Sequence, residues 1–406
     1  MNRLRIYSWI CVVMVLAASC KKDDTTSTPV TPEPPVVPPP AAEPVSYMKL
    51  AKETHSFITG NFLTSFGSYR ANTSNHSQNA YEWYITSQIY ADAAMVGAGE
   101  ASFLASMNKT ARWMENMWDK SSPAGGYFAA ANLDGSGAAG DKYIDDNSLT
   151  GMVYLEAYDV TTGADKEYYL EKARACANWL MNGGVWDNTY GGGFWWNTTK
   201  PEKPAQTNGL ALQLFLRLYK ITGETYYRDW AMSVNNWLTS KLFDANRGLF
   251  IWKINGTGNG TRHTEIFTYD NAIMIEAYLL YADAMNDPSY LKKAQALGRA
   301  MNISLWNASH NQYIFNTADD RVNPAWCAWG SQAMIRLYEA DKDANWLTFA
   351  KNNIDGLNIS NRDAVTKGYY FFARMDGTSR SPELEGVDQA WMQRVQALYS
   401  KYNPNK

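Results

Sequence analysis

Four stretches of this chain repeat one design, and that repetition limits its fold more than any other feature. YLEAYDVTTGADKEYYLEKARACANWL from Tyr154, FLRLYKITGETYYRDWAMSVNNWL from Phe215, YLLYADAMNDPSYLKKAQALGRAMN from Tyr278 and IRLYEADKDANWLTFAKNNIDGL from Ile335 share one order. Each reads as an apolar helix, a tight Gly/Asp/Asn turn and an amphipathic helix. The aligned tyrosines Tyr158, Tyr219, Tyr281 and Tyr338 stand 61, 62 and 57 residues apart. A fixed period of this kind means stacked units, none of which buries its apolar face alone.

Extending the pattern gives twelve helices, expected near 46–66, 78–96, 100–118, 146–162, 165–182, 205–222, 225–243, 268–286, 288–304, 324–341, 343–358 and 386–402. The even members are apolar on most faces and the odd ones carry more Lys, Glu and Asp. An all-round apolar helix is a buried one. Six hairpins with buried even helices describe an all-α, closed (α/α)6 barrel, a six-hairpin toroid. An open helical solenoid is the alternative, but no polar capping repeat is evident. Links from even to odd helices are short, as at Thr162-Gly163-Ala164. Links from odd to even are long, over 119–145, 183–204, 244–267, 305–323 and 359–385. Antiparallel alternation gathers every long link at one end of the barrel, and long ordered loops usually carry function.

The even helices begin at that end. Their starts bring Trp83 and Tyr84, then Tyr143 with Asp145, Asp146 and Asn147, then Asn208, then Tyr269 and Asp270, then Trp326 and Trp329. A flanking loop adds Phe194, Trp195 and Trp196. Taken singly, these are ordinary: Asp, Thr and Asn favour helix starts, and Trp is often core. Together they form a mouth of carboxylates, amides and aromatic rings in a chain with 16 Trp and 26 Tyr. Sugars suit such a surface, because their hydroxyls bond charged groups and their C–H faces pack on rings. The adjacent Asp145 and Asp146 are the sharpest feature. Two carboxyls at about 5 Å repel, so one holds its proton while the other stays charged, which is what glycoside hydrolysis with retention needs. Inversion needs a wider gap, with Asp270 or Asp388 as the second acid.

Other chemistries lack support. The formal charge is −3 with no basic stripe, which argues against nucleic acid. No His-Glu-x-x-His motif is present, and His55, His76, His263 and His310 lie outside the even helices, so no metal and no cofactor is expected. No phosphate loop or dinucleotide fingerprint precedes a helix. Cys176 and Cys327 each fall within a helix and are expected as buried free thiols. Residues 1–19 read as an export signal: Arg3 and Arg5, an apolar run to Ala18, then small residues before Cys20. The tripeptide before Cys20 looks like a bacterial lipobox, which makes Cys20 a lipidation site and residues 20–44 a Pro/Thr-rich tether. The expected domain is 45–406, a monomer held at the outer membrane or cell surface of a bacterium.

YIDDNSLTGMVYLEAYDVTTG, GGGFWWN, TNGLALQLFLRLYKITG and TYDNAIMIEAYLLYADAMNDPSYLKKA, in that order, resemble glycoside hydrolase family 76, the α-1,6-mannanases. The resemblance runs through most of 80–305. It implies an (α/α)6 barrel and retaining endo-cleavage of α-1,6-mannan, with Asp145 as nucleophile and Asp146 as acid/base. The chain departs from the family pattern at Ser148-Leu149-Thr150, where an aromatic is usual, and at Asp270-Asn271. The polysaccharide hydrolase is the expected function; a non-catalytic glycan-binding lipoprotein on the same fold is the alternative.

Overall fold

The computed structural model describes residues 46–73, 79–257, 259–319 and 321–402. The export signal, Cys20 and the tether lie outside the described residues. Twelve α-helices are found among those described: α1 (Tyr47–Asn61), α2 (Glu82–Gly97), α3 (Leu104–Met114), α4 (Ile144–Asp159), α5 (Gly163–Asn182), α6 (Ala205–Thr222), α7 (Thr225–Lys241), α8 (Thr268–Ala284), α9 (Pro288–Ser304), α10 (Pro324–Asp341), α11 (Ala344–Ser360) and α12 (Gly386–Ser400).

The even helices pack in the closed cycle α2–α4–α6–α8–α10–α12–α2. This is the inner wall of the expected (α/α)6 barrel, and its sequence explains the burial. Every residue of α2 from Ile85 to Met95 is buried. The outer α5 instead buries Tyr169, Ala173, Cys176, Ala177, Trp179 and Leu180, essentially one stripe at helical spacing. Cys176 and Cys327 are buried free thiols. Outer helices α3, α5, α7, α9 and α11 pack on the inner helix that precedes them, whereas α1 packs on α12. The sixth pair is therefore made from the two ends of the domain. Tyr47 and Tyr399 meet edge to face at 4.7 Å, and Thr54 bonds Gln396 at 3.2 Å.

The long loops carry a repeat of their own. Each opens with a short antiparallel turn: Leu63 pairs with Tyr69, Trp118 with Tyr127, Trp186 with Phe194, Phe243 with Phe250, Trp306 with Tyr313, and Arg362 with Tyr369. An amide side chain then staples the aromatic at the end of the turn. Asn147 accepts the Tyr127 N–H at 2.7 Å and donates to the carbonyls of Tyr127 and Tyr143. Asn208 does the same with Phe194 and Pro204, Asn271 with Phe250 and Phe267, and Gln389 with Tyr369 and Glu385. Each amide is the fourth residue of its inner helix. In α10 that position is Cys327, and Asn353 of α11 reaches across to take the Tyr313 N–H and the Cys327 carbonyl. Losing such a buried staple strands backbone polar groups at about 1–3 kcal/mol each.

Inner helix starts are tied around the ring by backbone as well. The first N–H of α2 donates to Ala129, of α4 to Trp196, of α6 to Trp252, of α8 to Phe315 and of α12 to Ala71. Each acceptor lies in the loop of the next unit, and the last bond closes the cycle. Pro324 has no N–H to give, and there the Asn323 amide donates to the Phe371 carbonyl at 2.6 Å. Gly193 permits the loop before α6: its φ is +89°, and a Cβ would fall 2.4 Å from the Trp237 ring.

At the short-link end, charged side chains cross the barrel axis. Arg394 of α12 is 1% exposed. It lies 3.0 Å from Glu156 of α4 and bonds Gln332 of α10 at 2.6 Å and the Tyr90 carbonyl of α2 at 2.9 Å. Gln332 donates in turn to Glu276 of α8 at 3.0 Å. Five of the six inner helices meet in this network. It borders a cavity of about 460 Å³ whose lining also includes Gln213 of α6.

Candidate active site

The opposite end, where the long loops gather, holds a cleft of about 410 Å³. Its size falls in the usual range for small-ligand sites. Asp145 and Asp146 line one wall with Tyr143, Trp196 and Gln206. Trp83, Tyr84, Trp326, Leu149, Leu210, Ile273 and Trp329 also line the space. Trp83 and Trp326 stack at 5.8 Å with their planes 20° apart. Tyr143 meets Trp196 edge to face at 4.9 Å. Tyr84 donates its hydroxyl to Glu385. No lysine, arginine or histidine lines the cleft among the described residues.

The helix register decides which side chains arrive there. The second residues of four inner helices line the cleft: Trp83, Asp145, Gln206 and Tyr269. So do three of the third residues: Tyr84, Asp146 and Trp326. The third residues Asp270 and Asp388 instead are fully buried and accept a backbone N–H from the neighbouring inner helix, Gln206 at 3.1 Å and Ala325 at 3.0 Å. Neither faces the cleft, so neither can serve as the distant second acid that inversion would require.

The two adjacent carboxyls sit in different surroundings. Asp145 Oδ2 accepts the Trp196 indole N–H at 2.9 Å and the Gln206 amide at 2.8 Å. Its Oδ1 accepts only the backbone N–H of Asp146, at 3.1 Å. Burial raises its pKa to about 6, against the pull of those donors. Asp146 is half-buried and its carboxyl accepts no hydrogen bond among the described residues. Burial and the neighbouring Asp145 charge push it well above the usual carboxylate range. Burial and mutual repulsion favour one shared proton in the pair, and the division follows the donors: Asp145 accepts three N–H groups that support a charge, whereas Asp146 accepts none among the described residues and is the better holder of the proton. Behind them Glu82 is fully buried, bonded by Thr150 at 3.0 Å and Asn147 at 3.2 Å. Burial, first of all, pushes its carboxyl up as well, and the neighbouring aspartate pair adds to the shift.

Of the residues expected to meet substrate, Trp83, Tyr84, Tyr143, Trp196, Tyr269 and Trp329 line the cleft with the aspartate pair. Five do not. Asn147 and Asn208 are spent on the loop staples. Phe194 is fully buried and stacks on Trp230 at 5.7 Å. Trp195 turns away to donate to Asp187 at 2.7 Å, with Lys203 over its ring. Asp270 ties helix to helix. Gln206 was missed, as was a role for Trp326 beyond its place near the mouth. Aligning the helix starts would have found Gln206, which shares the register of Trp83, Asp145 and Tyr269.

The fold and the paired carboxyls define a glycoside hydrolase. The chain matches the model of Glycosyl hydrolase family 76 over residues 49–321 and belongs to that family. Solved structures with the same fold include a family 76 α-mannanase of Bacteroides thetaiotaomicron, 22% identical, covering 88% of this chain and 96% of that one at a TM-score of 0.77. An α-1,6-mannanase of Salegentibacter is 19% identical, covering 88% and 99% at 0.69. An uncharacterized Caenorhabditis elegans protein is 25% identical over 146 residues, 32% of this chain and 20% of that protein's length.

Proposed function

We propose that this glycoside hydrolase cleaves α-1,6-mannan with retention of anomeric configuration. One observation carries the mechanism: among the described residues, Asp145 and Asp146 are the only carboxylates lining the cleft. Asp145 Oδ1, the less bonded oxygen, attacks the anomeric carbon while Asp146 gives its proton to the departing glycosidic oxygen. The C–O bond breaks and a glycosyl ester forms on Asp145. Asp146, now charged, takes a proton from water, the water oxygen attacks the same carbon, and Asp145 leaves as carboxylate. Trp196 and Gln206 stay on Oδ2, which becomes the ester carbonyl. A cleft without cations suits the positive charge that develops on the sugar.

The α-1,6-mannan assignment is supported by likeness. The Salegentibacter α-1,6-mannanase has also been solved as an inactive variant, two adjacent aspartates replaced by asparagine, in complex with α-1,6-mannotriose. Proton NMR during digestion of α-1,6-mannan should show the α-anomer as the first product. A β-anomer at early times would overturn the two-aspartate mechanism, and binding without any cleavage would favour the glycan-binding alternative.

The same proposal places the enzyme at a bacterial surface, lipid-anchored at Cys20. The support is the sequence of residues 1–44, together with the position of Ser46, where the described chain enters α1. The odd helices start at the short-link end, so Ser46 lies on the face opposite the cleft. Cys20→Ala should release the protein from the membrane fraction into the soluble one; retention in the membrane would sink the anchor.

A further inference from the structure

Asp270 of α8 is fully buried, and its Oδ2 has no hydrogen-bond partner among the described residues. A buried carboxyl with unmet bonding capacity is destabilising. Its Oδ1 accepts the backbone N–H of Gln206 at 3.1 Å, near the start of α6. The Gln206 side chain then donates to Asp145 Oδ2 at 2.8 Å. Asp388 makes the equivalent clamp on Ala325 at 3.0 Å, but alanine has no polar side chain to pass the constraint on. The clamp is thus a device of the fold that, between α8 and α6 alone, ends on a reacting group.

We infer that Asp270 is a positioning residue for the reaction: it fixes the start of α6, and the fixed Gln206 holds Asp145 with Oδ1 turned free for attack. This rests on the reading of Asp145 as nucleophile. A carboxylate that accepts neutral N–H donors is favoured in its charged form, and small misplacements of a reacting group cost large factors in rate. The titratable groups that line the cleft with Asp145 are Asp146 on its own helix, Tyr143 at the entrance of α4, Tyr81 and Tyr84 at the start of α2, and Tyr269 of α8; Glu82 of α2 lies behind, and Asp270 reaches Asp145 only through Gln206. None is a cation. The Trp196 and Gln206 donors, with the Asp146 backbone N–H, are what support the charge.

The test is the pH profile of kcat and KM on α-1,6-mannan for Gln206→Met, Asp270→Asn, Asp270→Leu and the Gln206→Met/Asp270→Leu double variant. Gln206→Met should lower kcat about 10- to 100-fold with KM within about threefold, and move the acid limb to higher pH. Asp270→Leu should follow in the same direction by about 10-fold. Asp270→Asn keeps an oxygen for the Gln206 N–H and should recover most of that loss. The double variant should be no worse than Gln206→Met alone, because both act through one contact. If Asp270→Leu folds poorly, Asp270→Ser replaces it with the same expectation. Acid limbs that do not move, or losses that multiply in the double variant, overturn the inference. An Asp145→Asn enzyme that still turns over would instead remove the nucleophile reading beneath it.

Discussion

Asp145→Asn should reduce turnover of α-1,6-mannan by at least about 10³-fold, because a missing nucleophile disables a step in which the groups act as a unit. Asp146→Asn should behave differently. With the natural substrate its loss should also be severe, since the departing oxygen needs a proton. With an aryl mannoside whose phenolate leaves unaided, the first step should survive and the ester should accumulate as a burst. If the two variants lose activity equally on both substrates, the division of roles fails. Stability gives an independent reading. The folded-state pKa of Asp145, about 6, lies above its unassisted 3.8. The folded chain therefore holds that proton more tightly, and stability from this group is present below pH 3.8 and lost as pH rises through about 6. Asp145→Asn should consequently melt at a higher temperature than wild type at pH 7, with the gap closing toward pH 4. Loss of activity with a gain in melting temperature is not what a collapsed fold would show.

The second large effect is expected at the far end of the barrel. Glu156→Leu would leave Arg394, 1% exposed, with only neutral acceptors. Breaking one side of a buried ion pair costs about 3–5 kcal/mol, whereas replacing both partners with well-packed apolar groups is often neutral. Glu156→Leu should therefore lower the denaturation midpoint sharply, and adding Arg394→Met should restore most of it. A double variant that is worse than Glu156→Leu would show that Arg394 matters through its packing over the Tyr90 ring, at 3.1 Å, and not through charge. Burial works against the Glu156 carboxylate, but Arg394 and then Arg336 hold its pKa down to about 2 from 4.5. That contribution is fully present above pH 4.5 and lost as pH falls through about 2, so the comparison is best made near neutrality.

Much of this architecture was readable from the sequence because the helices are periodic and the repeat is regular. Where boundaries moved, local pairing moved them. The first helix was expected to reach 66 but stops at Asn61, since Leu63 and Tyr69 form the turn found in every unit. The second was expected from 78 but starts at Glu82, since Asn79–Tyr81 pairs with Ala130–Asn132. The site was harder to read. Asn147, Asn208, Asn271 and Gln389 look like amides ready for hydroxyls, yet an amide at the fourth position of four inner helices is a requirement of the ring, not of the substrate. Gln206 occurs once, at a position held by Trp, Asp, Tyr, Ala and Val in the other five inner helices. In a repeat of this kind, what recurs holds the scaffold and what occurs once is open to chemistry. Periodicity also could not tell Trp195 from Trp196: backbone pairing in their loop sends one to Asp187 and the other to Asp145.

The pairing of α1 with α12 gives the molecule a seam. Thr54 and Gln396 are 342 positions apart in the chain, so α1 waits for the distant α12 before its apolar stripe is covered. Contacts of such separation are slow to form, and chains that await them expose sticky surface meanwhile. Peeling at either terminus would likewise uncover an inner staves-and-hoop wall at a single point, making the seam the natural place for this barrel to begin to come apart.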